Sequence, residues 1–299
     1  MSRLALLALV LSPAVAPAAG PPVVLRPDVT YAVAGAEKLK LDVAMPATPG
    51  PHPAVVCLHG GAWRSGSRKD LSRASRWYDF GAPGKSLLDV LAARGFVAVS
   101  VGYRLAPGNK FPAQIEDAKT AVRFLRANAK KFGIDPDRIA ALGFSSGGHL
   151  AALLGTADES AGFEGKLYPE QSSRVQCVVD FFGPTDLTLY TVTPWIEWAY
   201  FVPLLGGRSR DHMDLYKRAS PIEYVSKGDP PFLIVQGTAD LLVPAIHSER
   251  LYEKLTAAGV RSKLVTVKGK GHGWGGEAAA HTTETAIRFL SEQLLDQGK

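Results

Sequence analysis

The chain has 299 residues, 46% of them hydrophobic and 21% charged, an ordinary globular composition with enough apolar residues for one sizeable core. Its net charge is +6, but basic and acidic residues are interspersed and no run of five or six like charges occurs. That distribution argues against a nucleic-acid partner, which needs Lys and Arg gathered on one face.

The first segment reads as a leader. Arg3 precedes an apolar run from Leu4 to Leu11, followed by "SPAVAPAAG", the charged, apolar and small-residue order of a secretory signal peptide. Pro13 and Pro17 break the run, leaving it too short to span a hydrocarbon core of about 30 Å. Residues 1–20 are therefore expected to be removed, with cleavage after Ala18 or Ala19. Residues 21–299 then form a single secreted or periplasmic domain with no stable membrane insertion.

Apolar, β-branched runs predict eight strands: "VTYAVA" (29–34), "KLKLDVAM" (38–45), "AVVCLHG" (54–60), "FVAVSVGYR" (96–104), "IAALGFS" (139–145), "VQCVVDFF" (175–182), "FLIVQGT" (232–238) and "SKLVTVKG" (262–269). Helix-like segments separate most of them, so the expected class is α/β, a mostly parallel eight-stranded sheet with helices on both faces. Residues 111–133 carry Pro112 in the first turn, Ile115, Ala118, Val122 and Leu125 at helical spacing, and Gly133 as a stop. Residues 245–259 follow Pro244 and end at Gly259 in the same manner. The two cysteines, Cys57 and Cys177, fall in strands expected to be separated, so two buried free thiols are expected rather than a disulfide.

Two stretches interrupt the rhythm. Residues 64–86 are polar with aromatics, and residues 187–219 include "LYTVTPWIEWAYFVPLLGG". Long excursions in a compact α/β chain are often lids or pocket walls, and the second is read as a small cap or lid.

Chemistry enters with "GFSSG", where Gly143, Ser145 and Gly147 make G-x-S-x-G between a strand and a helix. Small neighbours permit a sharp turn that lifts the Ser145 hydroxyl above the sheet. A serine hydroxyl needs a base, and of the seven histidines His272, after the last strand in "VKGKGHGWGG", is best placed. His149, His247 and His281 are assigned to helices; His52 and His212 lie in loop-like sequence. Asp240, ending "FLIVQGTAD", is the expected acid, with Asp186 after "VVDFFGPTD" as its rival, since an Asp there can equally cap the helix starting at Leu187. Attack on a carbonyl also requires donors for the developing oxyanion; "HGGAW" (59–63) offers the amides of Gly61 and Ala62 to act with that of Ser146, while His59 braces the loop. Trp63, Trp195, Trp198 and Trp274 are the expected substrate-pocket residues.

Together, "HGGAW", "YRLAP", "FPAQIEDA", "GFSSGGHLAA", "FFGPTDL", "VQGTADLLVP" and "GHGW" resemble the hormone-sensitive-lipase-like branch of the α/β-hydrolase serine esterases, near the secreted feruloyl and acetylxylan esterase-like (BD-FAE) group. The resemblance covers nearly the whole chain after residue 20. It implies the α/β-hydrolase fold, Ser145 as nucleophile with Asp240 and His272, and an oxyanion hole at the Gly61 loop. It also implies short acyl groups, acetyl or feruloyl, on plant polysaccharide. Ala62 stands where many relatives have Gly, Ser146 where many have Ala, and Gly102 where Asp or Asn often precedes the tyrosine; the first two changes preserve the backbone amides.

An amidase or peptidase using the same triad, and a hydrolase-fold binding protein without activity, are the alternative readings. Gly271, Gly273 and Gly276 satisfy G-x-G-x-x-G, but no further strand with an acidic residue follows, so no dinucleotide is expected. Neither a cofactor nor a catalytic metal is expected, because the histidines lack ligand spacing. The expected partner is a small-molecule or saccharide acyl ester.

Overall fold

In a computed structural model, which describes residues 22–75, 78–192 and 194–296, the chain forms one eight-stranded sheet. The predicted leader and the carboxy-terminal residues 297–299 lie outside the described residues. The strands are β1 (Val23–Ala34), β2 (Glu37–Pro46), β3 (His52–Leu58), β4 (Val97–Val101), β5 (Ile134–Phe144), β6 (Val178–Phe181), β7 (Phe232–Gly237) and β8 (Ser262–Val267). Each contains or lies within its predicted run, give or take a few residues. Their order is β1-β2-β4-β3-β5-β6-β7-β8, with β2 antiparallel to both neighbours and every pair from β4 to β8 parallel.

The alternation of side chains explains why the inner strands read as unbroken apolar runs. Ala54, Val56 and Leu58 of β3 point into one core, with Ile115 and Val122 of helix Ala113–Ala127, Leu150 and Leu153 of helix Ser146–Thr156, and Leu251 and Leu255 of helix Ile246–Ala257. Val55 and Cys57 point into the other, with Leu88 and Leu91 of helix Leu87–Ala92 and Ile287 and Leu290 of helix Gly276–Leu294. A strand covered on both faces must be apolar at every position. Burying each Val or Leu contributes about 1.5–3 kcal/mol.

Gly133 closes its helix with φ of 62°, and Gly259 lies just past Ala257 with φ of 78°, the left-handed conformation a glycine stop requires. Cys57 and Cys177 are both free and buried; Cys57 lies on β3 and Cys177 directly precedes β6, and β5 runs between those two strands.

Three expectations change. His52 is the first residue of β3, where Nε2 donates to Thr48 O at 2.9 Å, and His212 lies at a kink inside helix Ser209–Arg218; neither is in a loop. The first half of the 64–86 stretch is no lid. Asp42 on β2 accepts from Arg68 Nε (2.9 Å) and Ser72 Oγ (2.6 Å), and Arg68 O accepts from Ser100 Oγ of β4 (2.8 Å), which fastens this stretch to the antiparallel edge of the sheet.

Because the parallel strands point one way, the ends of β3, β5, β6, β7 and β8 release their loops at one edge, where α/β sheets place ligands. Residues 187–219 cross that edge as short helical pieces, from Leu187–Val192 through Pro194–Ile196, the π-helical Glu197–Phe201 and Val202–Leu205 to Ser209–Arg218. Among the described residues no helix is long and apolar enough to cross a membrane.

Candidate active site

Ser145 sits between β5 and helix Ser146–Thr156 at φ 55°, ψ −119°, a conformation that costs a non-glycine residue about 1–3 kcal/mol and persists only where the surroundings enforce it. Here the glycines make that possible. A Cβ on Gly143 would fall 2.0 Å from Gly147 O, and one on Gly147 would fall 2.1 Å from Leu58 O. Ser145 N–H donates to Phe181 O at 2.9 Å, so the turn is tied to the end of β6.

Three segments converge there. His272 Nε2 lies 2.8 Å from Ser145 Oγ, and His272 Nδ1 lies 2.7 Å from Asp240 Oδ2. With the carboxylate accepting from Nδ1–H, Nε2 is free to accept the serine proton. Asp240 is held in turn: its Oδ1 accepts from the amides of Leu242 and Val243, each at 2.9 Å. Its side chain is fully buried and that of His272 is 23% exposed. The base is also gripped by rings, since Phe182 packs edge-on against His272 at 4.9 Å and against Trp274 at 5.3 Å.

The rival acid does something else. Asp186 Oδ1 accepts from Thr188 N–H at 3.1 Å and from Thr188 Oγ1, Oδ2 pairs with Arg250 at 2.7 Å, and so the carboxylate opens the Leu187–Val192 turn. His247 lies beside it as a buried histidine, pushed down to about 4 by burial. His281 is exposed on helix Gly276–Leu294.

The "HGG" loop leaves β3 beside the serine. His59 is buried, its Nδ1 lies 2.8 Å from Gly60 O, and its ring stacks on Tyr103 at 4.3 Å, the bracing role expected for it. Burial holds its imidazole down at about 4. Gly60 N–H donates to Tyr78 Oη at 2.8 Å, and Tyr103 Oη donates to His59 O at 2.8 Å. Gly61 O accepts from the amides of Arg64 and Ser65, each at 3.0 Å. A Cβ on Gly61 would collide with Ser65 O at 2.2 Å. The amides of Gly61, Ala62 and Ser146 meet no acceptor among the described residues.

The tryptophans divide. Trp63 is turned inward, only 2% exposed, and packs on His149 and Phe201; it supports the loop from behind instead of facing a ligand. Trp274 is half-buried beside the base loop and donates from Nε1 to Thr282 Oγ1 at 2.9 Å. Trp195 and Trp198 stand exposed on the excursion, at 62% and 58%, with the Arg208 guanidinium over the Trp198 ring. Arg64 of the "HGG" loop donates to Ala199 O, and Tyr190 donates to Leu242 O at 3.1 Å, so the excursion leans on both the oxyanion-side loop and the Asp240 loop. Tyr78, Tyr103, Phe182 and His149 were not among the expected site residues. Tyr103 lies in "YRLAP", His149 in "GFSSGGHLAA" and Phe182 in "FFGPTDL", whereas Tyr78 lies outside every quoted motif.

A model of the BD-FAE family matches residues 41–255. The chain belongs to the BD-FAE family. Esterase LipC of Mycobacterium tuberculosis is 35% identical to it over 243 residues, covering 79% of this chain and 56% of LipC. The chain thus spans a little over half the length of the first such relatives. Among solved structures, a truncated carbohydrate esterase from gut microbiota superimposes with a TM-score of 0.76 at 30% identity, covering 93% of this chain and all of that one. A thermophilic esterase of Thermogutta terrifontis with propionate bound does so with a TM-score of 0.71 at 28% identity, covering 93% and 95%. Like these, this BD-FAE member has the α/β-hydrolase fold.

Proposed function

We propose that the protein hydrolyses short-chain carboxylic esters through an acyl-enzyme, with Ser145 as nucleophile, His272 as base and Asp240 as the group that orients it. The observation carrying this reading is the relay itself: Ser145 Oγ to His272 Nε2 at 2.8 Å and His272 Nδ1 to Asp240 Oδ2 at 2.7 Å. As Oγ attacks the carbonyl carbon, His272 takes its proton. The carbonyl oxygen becomes an anion that accepts from the Gly61, Ala62 and Ser146 amides, each such donor being worth about 10²–10³-fold in rate. Collapse expels the alcohol, which leaves with the proton from His272. Water then repeats the sequence on the acyl group, releasing the acid and restoring the hydroxyl.

The substrate class is acetyl or feruloyl esters of saccharides. This is supported by the family, by the likeness to a carbohydrate esterase and to an esterase that holds propionate, and by two exposed indoles on the segment crossing the site. Export is proposed from the leader-like residues 1–20; a mature mass lacking residues 1–18 or 1–19 checks it.

The decisive test is hydrolysis of p-nitrophenyl acyl esters and acetylated xylo-oligosaccharides by wild type and Ser145→Ala. The substitution should lower kcat by about 10⁴-fold or more, and equal rates in the two proteins would refute the mechanism.

A further inference from the structure

The amides proposed to receive the oxyanion lie in backbone that would not keep its shape unaided. Ala62 and Trp63 have φ of 52° and 58°, a region that residues with a Cβ avoid unless their surroundings hold them there. Two bonds at Trp63 do so. Its carbonyl accepts from Ala106 N–H at 2.8 Å, and its indole Nε1–H donates to His149 Nδ1 at 3.2 Å.

An indole nitrogen can only donate, so Nδ1 of His149 is the unprotonated nitrogen and Nε2 carries the hydrogen. Nε2 lies 2.7 Å from Ala219 O, a group that can only accept. The ring is therefore neutral and satisfied on both sides, and burial, which holds it down at about 4, favours the same form. His149 N–H also donates to Ser145 O at 2.9 Å, placing the ring one helical turn from the nucleophile. One imidazole thus joins the "HGG" loop, the nucleophile's helix and Ala219, the residue at which the excursion ends.

We propose that His149 is a positioning residue for ester hydrolysis: by holding the Trp63 indole it fixes where the Gly61 and Ala62 amides point relative to Ser145. This rests on the reading of those amides as oxyanion donors. Negative charge reaches that oxygen only as the transition state forms, so donors shifted by a fraction of an ångström lower kcat and leave KM nearly unchanged.

The test measures kcat and KM for p-nitrophenyl acetate in wild type, Trp63→Phe, His149→Gln, the double variant and His149→Asn. An Asn amide oxygen sits near the Nδ1 position and can still accept from the indole; a Gln amide reaches toward Ala219 instead. Trp63→Phe and His149→Gln should each lower kcat about tenfold or more with KM within about twofold. The double variant should be no slower than the slower single, because both remove one bond, and His149→Asn should recover kcat to within about threefold of wild type. Wild-type kcat in folded Trp63→Phe, multiplying losses in the double variant, or equal losses in the Asn and Gln variants would each overturn the proposal. A wild-type protein inactive on every ester would sink the proposed function and this inference together; an active wild type with indifferent variants sinks the inference alone.

Discussion

The helix after Ser145 and the helix that ends the excursion are nearly the same length and are built on opposite terms. Ten of the eleven residues in Ser146–Thr156 are buried, whereas only Ser209 and Tyr216 are buried in Ser209–Arg218. The first follows a strand directly and is packed so closely that a Cβ on its Gly147 would fall 2.1 Å from the Leu58 carbonyl oxygen of β3. The second follows the short helix Val202–Leu205 across a connection that begins at Gly206, and is kinked at His212. Atoms that must hold bonding distance belong on the first kind of element. A surface that meets a variable alcohol can be built from the second.

The contrast can be broken most forcefully at Gly147. Gly147→Ala places a methyl 2.1 Å from Leu58 O and 2.6 Å from His59 O, both backbone, so strand and helix must part. Turnover of p-nitrophenyl acetate should fall by about 100-fold or more, with a clear drop in thermal midpoint from a strain of about 1–3 kcal/mol or more. Retained activity would show that the elbow yields as readily as the excursion.

Asp180 sharpens the comparison through pH. This fully buried carboxyl at the end of β6 has Oδ1 2.9 Å from Gly183 N and Oδ2 without a partner among the described residues. Burial pushes it from an ordinary 3.8 up to about 7, partly opposed by the Gly183 hydrogen bond. Between those values the folded state keeps a proton that the unfolded chain releases. This group's contribution to stability therefore declines as pH rises through that window and stays low above it. In Asp180→Asn that decline is absent, so its thermal midpoint relative to wild type should climb from about pH 4 to about pH 8, by the equivalent of about 2–4 kcal/mol. A constant difference would mean that the carboxyl titrates as an ordinary one.

The smallest effect belongs to the excursion. Trp198→Ala should raise KM for an acetylated xylo-oligosaccharide by about 2–10-fold, the scale of one lost ring contact, while p-nitrophenyl acetate turns over as before. Equal changes on both substrates would place this indole in the acyl pocket instead.

The same division governs what could be read from the sequence. The strands, the helix ends at Gly133 and Gly259 and the groups at Ser145, Asp240 and His272 were legible because each is announced locally, by alternation, by a stop glycine or by a short motif at a strand end. Trp63 was misplaced because its neighbours suggest a pocket, while its direction depends on a positive φ and on a histidine 86 positions away. Tyr78 supports Gly60 from within the 64–86 stretch, which reads as polar with aromatics and in which nothing singles out this tyrosine. Phe182, whose ring steadies the base, follows a strand in which any phenylalanine would pass as core. His212 was read as loop because its helix has few apolar residues to mark a period, and His52 because Pro51 and Pro53 flank it ahead of the apolar run that begins at Ala54.

The placement of β5 between the strand of Cys57 and the strand that Cys177 directly precedes has a consequence for the redox environment the protein can occupy. Burial drives both thiols well above their ordinary range, and neither can meet the other without dismantling the sheet. The folded molecule therefore presents no thiolate to an oxidant and no bridge to a reductant, and its two cysteines keep the same covalent state on either side of a cell envelope.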